Sequence, residues 1–351
     1  MKMKMNKREK NNIILIISSF FIVLIVSFII MNIFLQKEVG NTYNNSLTKT
    51  IEKVEDGVVL IETYIGMAQP SAGSGFIYKK GPLNAYVLTN EHVLEGEKII
   101  VTNSKGQETE GKVLGRDSYL DLAVIEINTS SAPKALTFGD STKTKVGDSV
   151  FAIGSPIGRR YQGSVSSGIL SGKDRIVPTK INDKDEWVMK ALQFDASINS
   201  GNSGGPLFNS KGEVIGICTM KLIEEGIEGM SFALPIEDAE KYLDLLEQGK
   251  EIERPELGIS MTNISNTLQL INNDITIPDD TMYGAVVLDV KEESSAAKNL
   301  QKGDIITQID DQEIRDTTYV KYVLFQHNKG DKITIYYLRD GKKKSTKITL
   351  Q

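Results

Sequence analysis

A single cysteine, Cys218, stands among 351 residues, so no intramolecular disulfide is possible and the folded state must be held by packing. It lies in the apolar run 214–220, where it reads as a small buried hydrophobe and not as a catalytic thiol. Only two histidines are present, far apart from each other and from the cysteine, so no metal-ligand spacing exists and no metal is expected. A phosphate-cradling glycine loop followed by Lys and Ser or Thr is also missing, which argues against ATP dependence and leaves no cofactor implied. A net positive charge is confined to the amino terminus. Residues 1–35 carry Lys2, Lys4, Lys7, Arg8 and Lys10 against Glu9, a balance of +4, so a net charge of −5 leaves −9 on the rest. An acidic body argues against nucleic acid as a partner. Internal repeats and low-complexity tracts are absent too. With 40% apolar and 25% charged residues the chain is neither disordered nor fibrous, and its length suggests about two or three folded units.

One long apolar run is present. Residues 13–35 carry no charge, and at about 1.5 Å per residue a helix of this length is roughly 34 Å long, enough to cross a bilayer core. A cleavable signal would be shorter and would end at a small-x-small site, which does not precede Gln36, Lys37 and Glu38. The reading is an uncleaved anchor. Basic residues on its amino side place the tail 1–12 in the cytoplasm and the remainder outside the cell membrane. Residues 36–50 are polar and read as a tether.

Beyond the tether, short β-branched or alternating runs recur at 58–65, 75–78, 85–89, 98–102, 122–127, 149–153, 189–194, 214–220 and 231–234, separated by turns such as Ser104-Lys105-Gly106. Regular strands with little helix predict a mainly β domain, a sandwich or barrel, over 51–249. Helical spacing follows in 235–249, stopped by Gly249, and the charged residues 250–254 before Pro255 mark a domain boundary. Residues 255–351 mix strand-like 285–290, 305–309, 332–338 and 345–350 with helix-like 295–300 and 317–327, a small α+β module with a hairpin turn at Asp340-Gly341. Residues 158–188 and 264–282 read as loops.

Gly201-Asn202-Ser203-Gly204-Gly205-Pro206 is the most informative stretch. Glycines on both sides permit a tight turn that exposes the Ser203 hydroxyl and turns backbone amides toward one point, where an oxyanion would sit. Serine alone is a poor nucleophile and needs a base. His327 lies in a polar loop of the second module, whereas His92 follows the alternating run 85–89 at a strand end and is the candidate base. Asp121, set among apolar neighbours in Tyr119-Leu120-Asp121-Leu122-Ala123, needs a partner if it is buried, and His92 is a suitable one. Taken singly, each of the three has an ordinary structural reading; their joint occurrence in one domain points to nucleophilic acyl transfer.

The order His, Asp, Ser, with Thr89-Asn90-Glu91-His92-Val93, Asp121-Leu122-Ala123-Val124, Ala152-Ile153-Gly154-Ser155-Pro156 and Gly201 to Pro206, resembles the HtrA (Deg) family of chymotrypsin-like serine proteases over about residues 51–350. The resemblance implies two perpendicular β-barrels with the active site between them, followed by one PDZ domain. It implies catalytic His92, Asp121 and Ser203, with the amides of Gly201, Ser203 and Asn202 forming the oxyanion hole. Ser197 and Ile198 fall where this kind of fold builds its primary specificity pocket. Ser197 takes the place of a trypsin-like acid, so cleavage after small or medium aliphatic residues is expected; the direction of the nearby Asp195 side chain stays open. Zymogen cleavage is not expected. Control by ordering of loops is implied instead, with Arg175 a positional candidate for a sensor.

In the second module, Arg254-Pro255-Glu256-Leu257-Gly258-Ile259 resembles the carboxylate-binding loop of an HtrA-type PDZ domain. Leu257, Gly258 and Ile259 would then offer amides to the C-terminus of a peptide added as a strand. Glu256 departs from the family, which often has an aromatic residue there. The family further implies a homotrimer acting on unfolded or exported proteins in envelope quality control and stress response. Two other readings stand beside this one. The first is a chaperone or scaffold whose triad is rarely competent, and the second is a regulatory protease with one dedicated membrane-protein substrate.

Overall fold

The computed structural model describes residues 7–44, 47–66, 71–181, 185–219 and 229–351. The chain divides into two compact units, Met1–Val54 and Glu55–Gln351. The first is helical. Helix α1 (Lys7–Asn44) contains the span Asn11–Phe34, long and apolar enough to cross a membrane. Three of its polar side chains bond within the helix: Ser18 Oγ donates to Leu15 O at 3.0 Å, Ser19 Oγ to Ile16 O at 2.8 Å, and Asn32 Nδ2 to Phe28 O at 3.0 Å. Such internal pairing lets the surface remain apolar. Helix α2 (Leu47–Val54) follows, so the polar tether is helical on both sides of residues 45–46. Leu47, Ile51 and Val54 explain α2, because they recur at helical spacing on one face.

The second unit opens with seven antiparallel strands, β1 (Val58–Tyr64), β2 (Ser71–Lys80), β3 (Asn84–Thr89), β4 (Lys98–Thr102), β5 (Glu108–Glu110), β6 (Lys112–Asp117) and β7 (Leu122–Asn128). Their order in the sheet is β5-β4-β1-β2-β3-β7-β6. Alternate residues such as Val59, Ile61, Val87, Val101 and Ile125 form its core. Six more strands, β8 (Ser149–Gly154), β9 (Ser164–Ile181), β10 (Asp185–Phe194), β11 (Pro206–Asn209), β12 (Val214–Thr219) and β13 (Ser231–Pro235), close into a barrel in the order β10-β13-β12-β11-β8-β9. This is the mainly β, chymotrypsin-like architecture. Cys218 sits in the core of that barrel, and burial pushes its thiol pKa well above the ordinary range.

Within the expected loop 158–188, residues 164–181 and 185–188 are strand. Strand β9 runs for 18 residues and pairs with β10 from Phe194↔Leu170 out to Asp185↔Ile181. Residues 164–169 and 173–177 of β9 are at most half-buried, so no buried face imprints an apolar alternation on that part of the sequence, whereas β10 from Trp187 to Phe194 is largely buried. The helical region 235–249 is split into α3 (Ile236–Glu240) and α4 (Leu243–Glu247), and Gly249, with φ 65°, follows as the stop.

The carboxy-terminal module contains β14 (Ile259–Asn263), α5 (Thr267–Asn272), β15 (Ala285–Val290), β16 (Ile305–Ile309), β17 (Gln312–Glu313), α6 (Thr317–Leu324), β18 (Lys332–Arg339) and β19 (Lys342–Thr349). Its sheet order is β14-β15-β16-β18-β19, with β17 attached to β16. Two expectations change here. Residues 295–300 form turns in place of a helix, and α5 arises inside the expected loop 264–282, where the Asn266 side chain accepts from Gln269 N and caps it. Asp340 and Gly341, at φ 51° and 71°, make the predicted hairpin turn.

Candidate active site

Strand β3 ends at Thr89, and the next turn, Glu91–Val93, carries His92. Asp121 lies in the connection from β6 to β7 with φ 53°, a left-handed conformation uncommon for a residue with a side chain. Its main chain is pinned there: Asn90 Nδ2 donates to Asp121 O at 2.8 Å and Glu91 N donates to the same oxygen at 3.1 Å. The carboxylate is fully buried. It accepts from His92 N at 3.0 Å through Oδ1, while Oδ2 meets His92 Nδ1 at 2.7 Å and accepts from Thr219 Oγ1 at 3.3 Å. These donors offset the cost of burying a charge. A carboxylate against Nδ1 selects the tautomer with the proton there and leaves the Nε2 lone pair as an acceptor. The His92 side chain remains 27% exposed.

The turn Gly201-Asn202-Ser203-Gly204-Gly205 joins β10 to β11. Ser203 O accepts from Ser74 N at 2.8 Å, and Gly204 N donates to Cys218 O at 2.9 Å. Gly204 has φ 81°, and a Cβ there would fall 2.2 Å from both Ser74 O and Thr89 Oγ1. Only glycine allows this approach. It sets the Ser203 turn against the end of β3, one residue short of the turn that carries His92. The structure thus brings His92 and Asp121 into direct contact and lays the serine turn beside them.

The other anticipated residues divide. Gly201 has φ 97°, the backbone freedom that the turn requires. The Asn202 amide donates to Asn199 O at 2.9 Å, a bond that closes the turn. Ser197 is exposed, whereas Ile198 is buried in the core of the second barrel. Asp195 turns back onto β9, where its carboxylate accepts from Ile169 N at 2.7 Å. Arg175, on β9, donates through Nε to Gln193 Oε1 at 3.0 Å. In the second module Leu257 is buried in the core, Gly258 has φ 69° against Ser294, and Ile259 opens β14, which among the described residues pairs in the sheet with β15 alone. Thr219 and Ser74 are functional neighbours that the sequence does not single out. A lone hydroxyl ending an apolar run, or standing between two glycines, carries little signal until the fold supplies its neighbours.

The trypsin-like peptidase domain family matches residues 73–217, and the PDZ domain family matches residues 255–350. Serine protease Do-like HtrB of Bacillus subtilis (strain 168) is 38% identical over 288 residues, which cover 79% of this chain and 61% of that protein. Serine protease Do-like HtrA of Lactococcus lactis subsp. cremoris (strain MG1363) is 34% identical over 342 residues, covering 89% of this chain and 84% of that one. The chain therefore spans less than two thirds of the Bacillus relative and most of the Lactococcus one. Among solved structures, the serine endoprotease from Yersinia pestis aligns with a TM-score of 0.62 at 29% identity, covering 86% of this chain and 96% of that chain. The HtrA-type protease AlgW with decapeptide aligns with a TM-score of 0.63 at 28% identity, covering 86% and 97%. A chymotrypsin-like peptidase fold followed by one PDZ domain defines the class of protein. Within that class, the chain belongs to the HtrA, or Do-like, family of serine proteases.

Proposed function

We propose that this protein is a membrane-tethered, ATP-independent serine endopeptidase that cleaves unfolded or exported proteins outside the cytoplasmic membrane. The observation that carries the reading is the His92 Nδ1 to Asp121 Oδ2 contact of 2.7 Å, formed beside the Ser203 turn. In this mechanism His92 Nε2 takes the Ser203 proton as Oγ attacks the peptide carbonyl. Asp121 holds the tautomer and stabilises the imidazolium, and the Gly201 and Ser203 amides stabilise the tetrahedral anion. His92 then protonates the leaving amine, and water releases the acyl-enzyme by the reverse proton path. An exposed Ser197 without a pocket acid, and an Asp195 tied to β9, support a preference for small or medium aliphatic residues before the cleaved bond.

The span Asn11–Phe34 supports the anchor, with residues 1–12 cytoplasmic, 13–35 in the membrane and 36–50 as the tether. The peptidase domain occupies 51–249, a short linker 250–254, and the PDZ domain 255–351. The side of β14 that has no strand partner among the described residues, next to Leu257 and Gly258, supports capture of a peptide C-terminus by strand addition. A homotrimer is the assembly that the family implies. The test uses the purified full chain in detergent with casein and a serine-directed phosphonate. Fragments and labelling at Ser203 are expected, and both should vanish in Ser203→Ala while the circular dichroism spectrum is unchanged. Casein cleavage retained by Ser203→Ala would remove the assignment.

A further inference from the structure

Ser74 is fully buried in β2, in the first sheet, yet two of its hydrogen bonds reach the nucleophile turn of the second barrel. Its amide donates to Ser203 O at 2.8 Å, and its hydroxyl donates to Gly201 O at 2.7 Å. The same hydroxyl accepts from Ser155 N at 2.9 Å, and Thr89 Oγ1 donates to Ser74 O at 2.7 Å. The one hydroxyl of this small side chain therefore both donates and accepts, and three separate segments meet on one residue.

The four successive carbonyls of the turn show what this contact does. Ser200 O accepts from Ile157 N at 3.0 Å, Asn202 O from Gly205 N at 3.0 Å, and Ser203 O from Ser74 N. Main-chain amides hold all three, and no substitution short of proline removes such donors. The remaining carbonyl, Gly201 O, is held by a side chain, the Ser74 hydroxyl. It is also the one on a glycine at φ 97°, where no Cβ resists rotation of the adjoining peptides. We propose that Ser74 is a positioning residue for catalysis: its hydroxyl fixes the 201–202 peptide, which lies between the two peptides that carry the Gly201 and Ser203 amides, and so keeps both amides aimed at the reaction centre. This rests on the Ser203 mechanism proposed above. Ser74 touches no reacting atom and acts through Gly201.

Amides that are aimed before the reaction act on the transition state and not on the bound substrate, so their loss lowers kcat and leaves KM nearly unchanged. The test compares full-length wild type, Ser203→Ala and Ser74→Ala. For Ser74→Ala we expect kcat on a peptide substrate to fall at least about tenfold with KM within about twofold. Phosphonate labelling should slow in proportion, yet reach the same final stoichiometry. A peptide boronic acid, whose adduct places an oxygen at the oxyanion position, should bind more weakly by a similar factor. The acid limb of the pH–rate profile should not move. A purely structural role would reduce the labelled fraction and the melting temperature while the surviving sites react at the wild-type rate; that result overturns the proposal. Should Ser74→Ala fail to fold, Thr89→Val removes the donor that holds Ser74 O, and a smaller loss of kcat, recovered in Thr89→Ser, is expected. A wild-type rate in Thr89→Val would then overturn it. A wild type that does not label at Ser203 refutes the underlying mechanism, and this inference falls with it.

Discussion

Asp121 combines complete burial, a left-handed backbone and contacts to His92 through both carboxylate oxygens. In the role proposed for it, charge and tautomer control are inseparable. Asp121→Asn should keep the fold but lower kcat by about 10⁴-fold, because a carboxamide can present its N–H to Nδ1 and force the proton onto Nε2. Steady-state kinetics with active-site titration measure this, and a loss below about tenfold would contradict the role. These residues were legible in the sequence because histidine is so scarce. With two in the chain, one of them in a polar loop, the base had few candidates. Ser74 and Thr219 were not legible, since serine and threonine are common and their partners lie 127 and 98 positions away.

At the scale of elements, the nucleophile turn depends on a close approach that no side chain can enter. Gly204→Ala places a methyl group at 2.2 Å from Ser74 O and Thr89 Oγ1 in a positive-φ conformation. It should cost about 2–4 kcal/mol and abolish labelling at Ser203; denaturant unfolding measures the first effect, and wild-type stability in this variant would contradict the packing. Asp238, in α3, offers a pH-dependent contrast. Burial holds its carboxyl above the ordinary range, only partly opposed by Lys190 at 3.4 Å. The folded form therefore binds this proton more readily than the unfolded chain. The group's contribution to stability is greatest below the unfolded pKa and is lost as pH rises through the folded one. Asp238→Asn should accordingly be neutral or slightly stabilising at pH 7, with its difference from wild type shrinking below about pH 4. Melting temperatures across that range test it, and a variant that is destabilised at neutral pH would refute it.

At the scale of the whole molecule, the peptidase and PDZ domains share an aromatic junction. Tyr119, Trp187 and Phe325 meet pairwise with ring centroids 5.0–5.1 Å apart. The Arg254 guanidinium lies over Tyr119 and Phe325 at 4.4 and 4.9 Å, and donates to Asp117 Oδ1 at 2.6 Å. Trp187 is buried, whereas Phe325 follows α6 and is half-buried. Phe325→Ala should remove about 2 kcal/mol of coupling between the domains. Unfolding followed by tryptophan fluorescence and by limited proteolysis should then resolve two transitions where wild type shows one; an unchanged single transition would show that the junction does not couple them.

Composition and pattern alone determined the apolar span, the succession of a β-rich domain and a smaller α+β module, and the scarce residue types from which a base could be drawn. These are local properties, since hydrophobic period and residue chemistry are written along the chain. Only the tertiary structure decided that a polar stretch becomes the β9–β10 hairpin and that Ser74 clamps a carbonyl of the opposite barrel. Each depends on which backbone groups meet across long sequence separations, and a hydrogen bond has no direction until both of its partners are placed.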